Sequence, residues 1–301
     1  AANTFTPGWC KGGLSKAGTG DGMLSYPAAI TYYGGNLYVV DNNNGRVNSY
    51  VAATGAFNGW IGRVNTAPSS GCTTGSNGQY TVSTSGWCKG GTGLQSWTGV
   101  GDAGGGFAFF WAGGGNNYAR GGITTDGTSL FISNAVDMRV DKWSLGGVFQ
   151  GGNRPDGANW MNGGSGWVTN TATLASWWSG SYNPTAIWTD GTWIYGIEVN
   201  YGGQSSAVVY KMNLSTGVVS GWKGGIYAGT VSSPGTAPSG GDPGCAGATG
   251  LTPGWCNGTN AYGDPGFTAG RFTNSAYGIT GDANFLYITD EWTHRVTRLP
   301  R

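Results

Sequence analysis

Residues 29–60 read AITYYGGNLYVVDNNNGRVNSYVAATGAFNGW. Short segments in which apolar and polar residues alternate are separated here by Gly-Gly, by Asp-Asn-Asn-Asn-Gly and by Thr-Gly. Alternation with a period of two sends successive side chains to opposite faces, and turn residues between such segments fold them back on one another. The stretch therefore predicts four antiparallel strands in chain order: a (Ala29–Tyr33), b (Asn36–Asp41), c (Arg46–Ala52) and d (Ala56–Val64).

The same plan returns three times. GITTDGTSLFISNAVDMRVDKWSLGGVFQGG begins at Gly122, AIWTDGTWIYGIEVNYGGQSSAVVYKMNLSTGVVSGW at Ala186 and GITGDANFLYITDEWTHRVTRLPR at Gly278. Segment c opens with Arg-Val in three of the four, at Arg46-Val47, Arg139-Val140 and Arg295-Val296. In the third, a longer b–c turn replaces that dipeptide. Residues 27–64, 119–154, 183–226 and 275–301 thus form four repeat units behind an N-terminal segment, 1–26. No long apolar stripe of period 3.6 marks a helix.

The pattern P-A-A-I-T…G-N-L-Y-V-V-D-N-N-N-G-R-V-N-S-Y resembles the NHL repeat, whose four-stranded units are the blades of a β-propeller. The resemblance implies an all-β chain forming one propeller domain over residues 1–301, with four antiparallel blades visible. Ile30, Ile123, Ile187 and Ile279 occupy one repeat position and stand 93, 64 and 92 residues apart. Propeller blades typically repeat every 40 to 45 residues or so. The excess lies after strand d and before the next strand a.

Two of these insertions contain a recurring phrase, TSGWCKGG from Thr84 and TPGWCNGT from Thr252, which first occurs as TPGWCKGG at Thr6. Each insertion holds two cysteines, so Cys72 is expected to pair with Cys88 and Cys245 with Cys256, clipping each loop into a cassette. Cys10 is left over, in the second half of a cassette whose first half would lie upstream, and the last unit stops after strand c. The expectation is a C-terminal piece of a longer protein, or a ring closed by pairing the N-terminal segment with the last blade. An odd cysteine equally suits a bond to a second copy.

Composition narrows the function classes. With 61 Gly, 15 Trp, 15 Tyr and 10% charged residues, the chain must fold by packing aromatic rings between tight turns. A net charge of +1 without a Lys/Arg cluster argues against nucleic acid as a partner. No apolar run approaches the roughly 18 to 20 residues needed to cross a bilayer. Low charge and paired cysteines fit a secreted or cell-surface protein.

In an up-and-down blade the b–c turns and the d-to-a linkers emerge on one face, which would gather the cassettes and the polar turns on one rim. Trp9, Trp87, Trp97, Trp160, Trp167 and Trp255 are expected beside those turns. The candidate ligand-binding residues are Asp41, Asn43, Trp87, Asn134, Asp137, Glu198, Tyr201, Trp255, Asp290, Trp292 and His294. Indoles beside carboxylates and amides suit a sugar, whose apolar face stacks while its hydroxyls exchange hydrogen bonds. The structural reading of the same residues has the tryptophans covering the clipped cassettes, and Asp41, Asn134 and Asp290 closing turns onto backbone N–H groups. It also has Arg46, Arg139 and Arg295 tying neighbouring blades.

The leading expectation is a binding module for a glycan or surface polymer, lectin- or adhesin-like. The first alternative is an assembly domain that meets another copy or another fibre or envelope subunit. The second is a glycoside hydrolase or lyase working through carboxylates among Asp41, Asp137, Glu198, Asp290 and Glu291. The zinc-dependent lyases among NHL-like propellers hold their metal through several histidines, whereas this chain has only His294. No cofactor is expected. Calcium at DNNNG is a minor alternative, since that loop lacks the alternating ligands and final Glu of an EF-hand.

Overall fold

The structure, a computed structural model, describes residues 8–11, 14–72, 83–94, 107, 121–135, 139–153, 166–168, 182–200, 206–226, 229–230, 233–234, 237–258, 270–273 and 275–301. The chain is all-β and built on antiparallel sheets. In the first, β1 (Pro27–Tyr33), β2 (Asn36–Asp41), β3 (Arg46–Val51) and β4 (Phe57–Gly62) follow one another in spatial as in chain order. The β1–β2 turn places Gly34 and Gly35 at φ +56° and +81°, the consecutive left-handed pair that a tight hairpin requires. The expected fourth strand divides, continuing after Arg63 as β5 (Val64–Thr66), which pairs with β6 (Thr92–Gly93).

The second sheet contains β7 (Ile123–Thr125), β8 (Ser129–Asn134), β9 (Arg139–Ser144), β10 (Phe149–Asn153) and β11 (Trp167–Val168), in the order β11-β10-β9-β8-β7. The third comprises β12 (Tyr182–Thr189), β13 (Trp193–Asn200), β14 (Ser206–Asn213) and β15 (Val219–Lys223). Seven short strands follow: β16 (Gly225–Ile226), β17 (Gly229–Thr230), β18 (Ser233–Pro234), β19 (Gly240–Gly241), β20 (Gly250–Leu251), β21 (Cys256–Asn257) and β22 (Phe272–Thr273). Of these, β21 extends the third sheet beyond β15, and β22 pairs with β14. The fourth sheet has three strands, β23 (Ala276–Gly281), β24 (Phe285–Asp290) and β25 (Arg295–Pro300).

Packing divides the chain into two compact units. One is Ala1–Asp137 with Asp141–Gly152 and Thr169–Trp178; the other is Met138–Val140 with Asn153–Val168 and Ser179–Arg301. The core of the first joins Tyr38, Val40, Val47 and Ile61 to Ile123, Leu130, Ile132 and Trp143. That of the second joins Tyr195, Ile197, Val199 and Val209 to Ala276, Leu286 and Ile288. Each core therefore fills the space between inward faces of two successive repeat sheets, as period-two alternation dictates.

Both expected disulfides are present, Cys72–Cys88 and Cys245–Cys256, spanning 16 and 11 residues, and Cys10 is free and exposed. Loops of that length give about 3 kcal/mol each on the loop-closure argument. The second cysteine of each clip lies on a fourth strand. Cys88 and Trp60 exchange both backbone hydrogen bonds at 2.9 Å, and Cys256 pairs with Trp222. Close approach requires glycine beside that tryptophan: a Cβ on Gly59 would stand 2.8 Å from the Trp87 backbone.

Candidate functional site

Asp41, Asn134, Glu198 and Asp290 occupy one repeat position on the b strands, the last residue of the strand in all but the third sheet, and all four are buried. In the first sheet Asp41 accepts hydrogen bonds from Arg46 Nε at 2.9 Å, Ser25 N at 2.7 Å and Asn44 Nδ2 at 2.8 Å. Arg46 also donates to the carbonyls of Thr19, Gly20 and Met23 at 3.0, 2.9 and 2.8 Å. The pair is 0% exposed and fastens the segment entering β1 to the b–c turn. Burial pushes the Asp41 carboxyl up; the Arg46 charge and the hydrogen bonds oppose that shift.

Asp290 repeats the device in the fourth sheet. It accepts from Thr273 N at 3.0 Å and Thr273 Oγ1 at 2.6 Å, while Arg295 reaches the Arg271 carbonyl and lies 4.0 Å from Asp290. In the second sheet Asn134 donates to Asp141 at 3.2 Å, with Arg139 fully buried.

The third sheet departs from this pattern. Asp41 stands opposite Arg46 and Asp290 opposite Arg295, but Glu198 stands opposite Val208. Neither Glu198 oxygen has a hydrogen-bond partner among the described residues. Burial alone pushes its pKa to about 8, so at neutral pH it is held mostly as the uncharged acid. The same burial, reinforced by Glu198, raises the Tyr210 hydroxyl well above its ordinary value.

The tryptophans expected beside the b–c turns dock at the opposite ends of the strands. The Trp87 indole donates to the Leu145 carbonyl at 2.9 Å, Trp9 to Ala52 at 2.9 Å and Trp167 to Leu214 at 3.0 Å. All three acceptors lie in c–d turns. Gly55, Gly147 and Gly217 sit in these turns at φ +76°, +82° and +74°, and a Cβ on any of them would come within 3 Å of the docking Gly-Trp segment. The Gly-Trp half of the phrase is thus a lock on a turn, just as its cysteine is a lock on a fourth strand.

Trp255 differs from these. It is buried, and its indole N–H has no acceptor among the described residues. Its ring lies 5.7 Å from that of Tyr195, with Lys223 Nζ 4.6 Å and Lys211 Nζ 5.5 Å from its centre. Burial lowers the pKa of both lysines.

Asn43 is half-buried and donates to Ser25 Oγ at 3.0 Å. Asp137, Tyr201, Trp97 and Trp160 lie outside the described residues. Among the described residues, what stays open at a b–c end is the turn Glu291-Trp292-Thr293-His294. Trp292 is 58% exposed there, and Glu291 and His294 are exposed on either side. The turn is held by Glu291 N to the Ser275 carbonyl at 2.9 Å and His294 N to the Glu291 carbonyl at 3.2 Å, over the buried Asp290. In the first unit a cleft of about 450 Å³ opens between Trp9, Leu24, Ile30, Leu37, Val39 and Tyr50, a mainly apolar surface.

Among the described residues no three His, Cys, Asp or Glu side chains converge as metal ligands, and no helix is long and apolar enough to cross a membrane. No family model matches the chain, and no curated protein does. Solved structures that match include hydrazine synthase of Kuenenia stuttgartiensis, at 16% identity and a TM-score of 0.33, over 97% of this chain and 80% of that one. A likeness of that size establishes no shared activity.

Proposed function

We propose that the chain is a propeller-type module of NHL-like blades, acting outside the cytoplasm, that binds carbohydrate or a surface polymer through an exposed aromatic turn. The observation that carries this reading is Trp292, an indole 58% exposed on a turn fastened from below by Asp290. A rigid flat ring flanked by the carboxylate of Glu291 and the imidazole of His294 offers stacking and hydrogen bonding to a pyranose together. Two disulfides, which persist in oxidising compartments, support an extracytoplasmic place. The propeller reading draws its support from the repeat sheets packed in successive pairs.

The test is an array of bacterial and host glycans probed with the wild-type chain and with Trp292→Ala. Binding that Trp292→Ala abolishes without lowering thermal stability is expected; binding that survives the change places the ligand elsewhere. An assembly role is the second reading, favoured by β25, which among the described residues pairs with β24 alone.

A further inference from the structure

We propose that Lys211 and Lys223, with the ring of Trp193 beside them, bind the carboxylate of a uronic-acid sugar. The first sheet supplies the reference. Tyr38 and Trp87 there hold their rings 5.6 Å apart, and Tyr195 and Trp255 repeat that pair at 5.7 Å. Ser49 stands opposite Tyr38 and Ile61 opposite Val47; in the third sheet Lys211 stands opposite Tyr195 and Lys223 opposite Val209. Ser49 and Ile61 are buried. Two positions that one sheet fills with neutral buried side chains thus carry ammonium groups in the other, beside the same kind of aromatic pair.

Around these lysines donors outnumber acceptors. Lys223 Nζ lies 4.6 Å and Lys211 Nζ 5.5 Å from the centre of the Trp255 ring, and Lys211 Nζ is 4.2 Å from that of Trp193. Lys223 donates to the Pro300 carbonyl at 2.9 Å. Among the described residues Lys211 donates to no acceptor, and no carboxylate forms an ion pair with either lysine. The acids whose charges act on the pair are engaged elsewhere. Asp190 is held by Arg301 and accepts from the Tyr195 hydroxyl at 3.3 Å, and Asp242 accepts from Trp255 N at 2.8 Å. Burial lowers the pKa of both lysines; Asp242 opposes that shift, and at Lys223 the Lys211 charge adds to it. Like charges drawn partly out of water are stabilised by an anion that both can reach.

The aromatic neighbour selects the kind of acid. Lys211, Lys223 and Trp193 are all half-buried, so each keeps part of its surface open. A pyranose can lay its apolar face on an indole while the carboxylate on its ring accepts from ammonium groups beside it. An acidic peptide would bring the carboxylate without the ring. Trp193 opens β13 directly after the a–b turn, whereas Trp292 lies in a b–c turn, at the other end of the strands. Naming a sugar rests on the carbohydrate reading proposed above; the need for a carboxylate rests on the lysines alone.

The probes are penta-galacturonate, its methyl ester, which keeps the rings and loses the charge, and penta-glutamate, which keeps the charge and lacks the rings. Each is titrated calorimetrically into the intact chain. Penta-galacturonate is expected to bind about tenfold tighter than either of the others, and less tightly as salt is added. Lys211→Ser with Lys223→Ile installs the residues of the first sheet and should weaken that binding about tenfold or more in a chain that stays folded. Lys211→Ser alone serves should the double variant not fold. Trp292→Ala should leave penta-galacturonate binding unchanged, so a silent array of neutral glycans beside lysine-dependent uronate binding would break the Trp292 reading and keep this one. No binding of penta-galacturonate at millimolar concentration would overturn the proposal. So would equal binding of the ester or of penta-glutamate, or an affinity that survives the lysine changes or disappears with Trp292→Ala.

Discussion

In the first sheet strand b carries Asp41 opposite Arg46; at the same repeat position the third carries Glu198 opposite Val208. Both carboxyls are buried, yet one lies in a network of four donated hydrogen bonds or more and the other has no partner among the described residues. A buried carboxylate is tolerated when its charge is matched and its lone pairs are filled; otherwise it keeps its proton. One repeat position therefore carries a charged clamp in one sheet and a neutral acid in another, and the difference traces to the residue across the strand pair.

The largest effect should come from breaking the clamp. Arg46→Met leaves Asp41 buried beside an apolar side chain and removes the donors to residues 19–23, at an expected cost of about 3 to 5 kcal/mol in chemical denaturation. A loss below about 1 kcal/mol would mean that the pair contributes little beyond packing.

Glu198 should impose a pH dependence of the opposite kind. Its folded pKa of about 8 lies above the ordinary 4.5, so its contribution is fully present below pH 4.5. As pH rises, the unfolded chain gives up the proton first. Stability from this group falls by up to roughly 1.4 kcal/mol per pH unit until the folded state also ionises, near pH 8. Glu198→Gln should flatten the curve of melting temperature against pH over that window. An unchanged slope would assign the dependence to other groups.

Val208→Arg sharpens the comparison, because it restores the cross-strand partner that the other sheets hold. It should draw the Glu198 carboxyl down and shrink the alkaline loss, read in the same melting series; a steeper loss would show that the guanidinium cannot reach. A smaller effect is expected of Trp87→Phe, which keeps a ring against Tyr38 and removes the bond to Leu145, for about 1 kcal/mol. Trp292→Ala, on an exposed turn, should stay within about 0.5 kcal/mol.

The strands were legible because their evidence is local. Alternation and turn residues placed β2 at Asn36–Asp41 to the residue, and β3 to within one. The fourth strand ran differently because Gly62 ends β4, leaving Arg63 to separate it from β5. The repeated Gly-Trp-Cys phrase announced a module without announcing its address. Trp87 finds its acceptor, the Leu145 carbonyl, 58 residues downstream, in a turn with nothing in its own sequence to mark it as a socket. Turn residues also looked more available than they are, since a polar side chain closing a strand reads the same whether it faces water or an arginine. The orphan acid had a visible cause, the loss of Arg-Val in the third unit, but burial was needed to turn that loss into chemistry.

The most direct test is a carbon-13 titration of the Glu198 side-chain carboxyl in the folded chain. A midpoint of about 8 is expected and would establish a neutral acid at the position where Asp41 is a charged clamp. A midpoint at the ordinary 4.5 would contradict it, because it would mean that water or an unrecognised partner reaches the carboxylate.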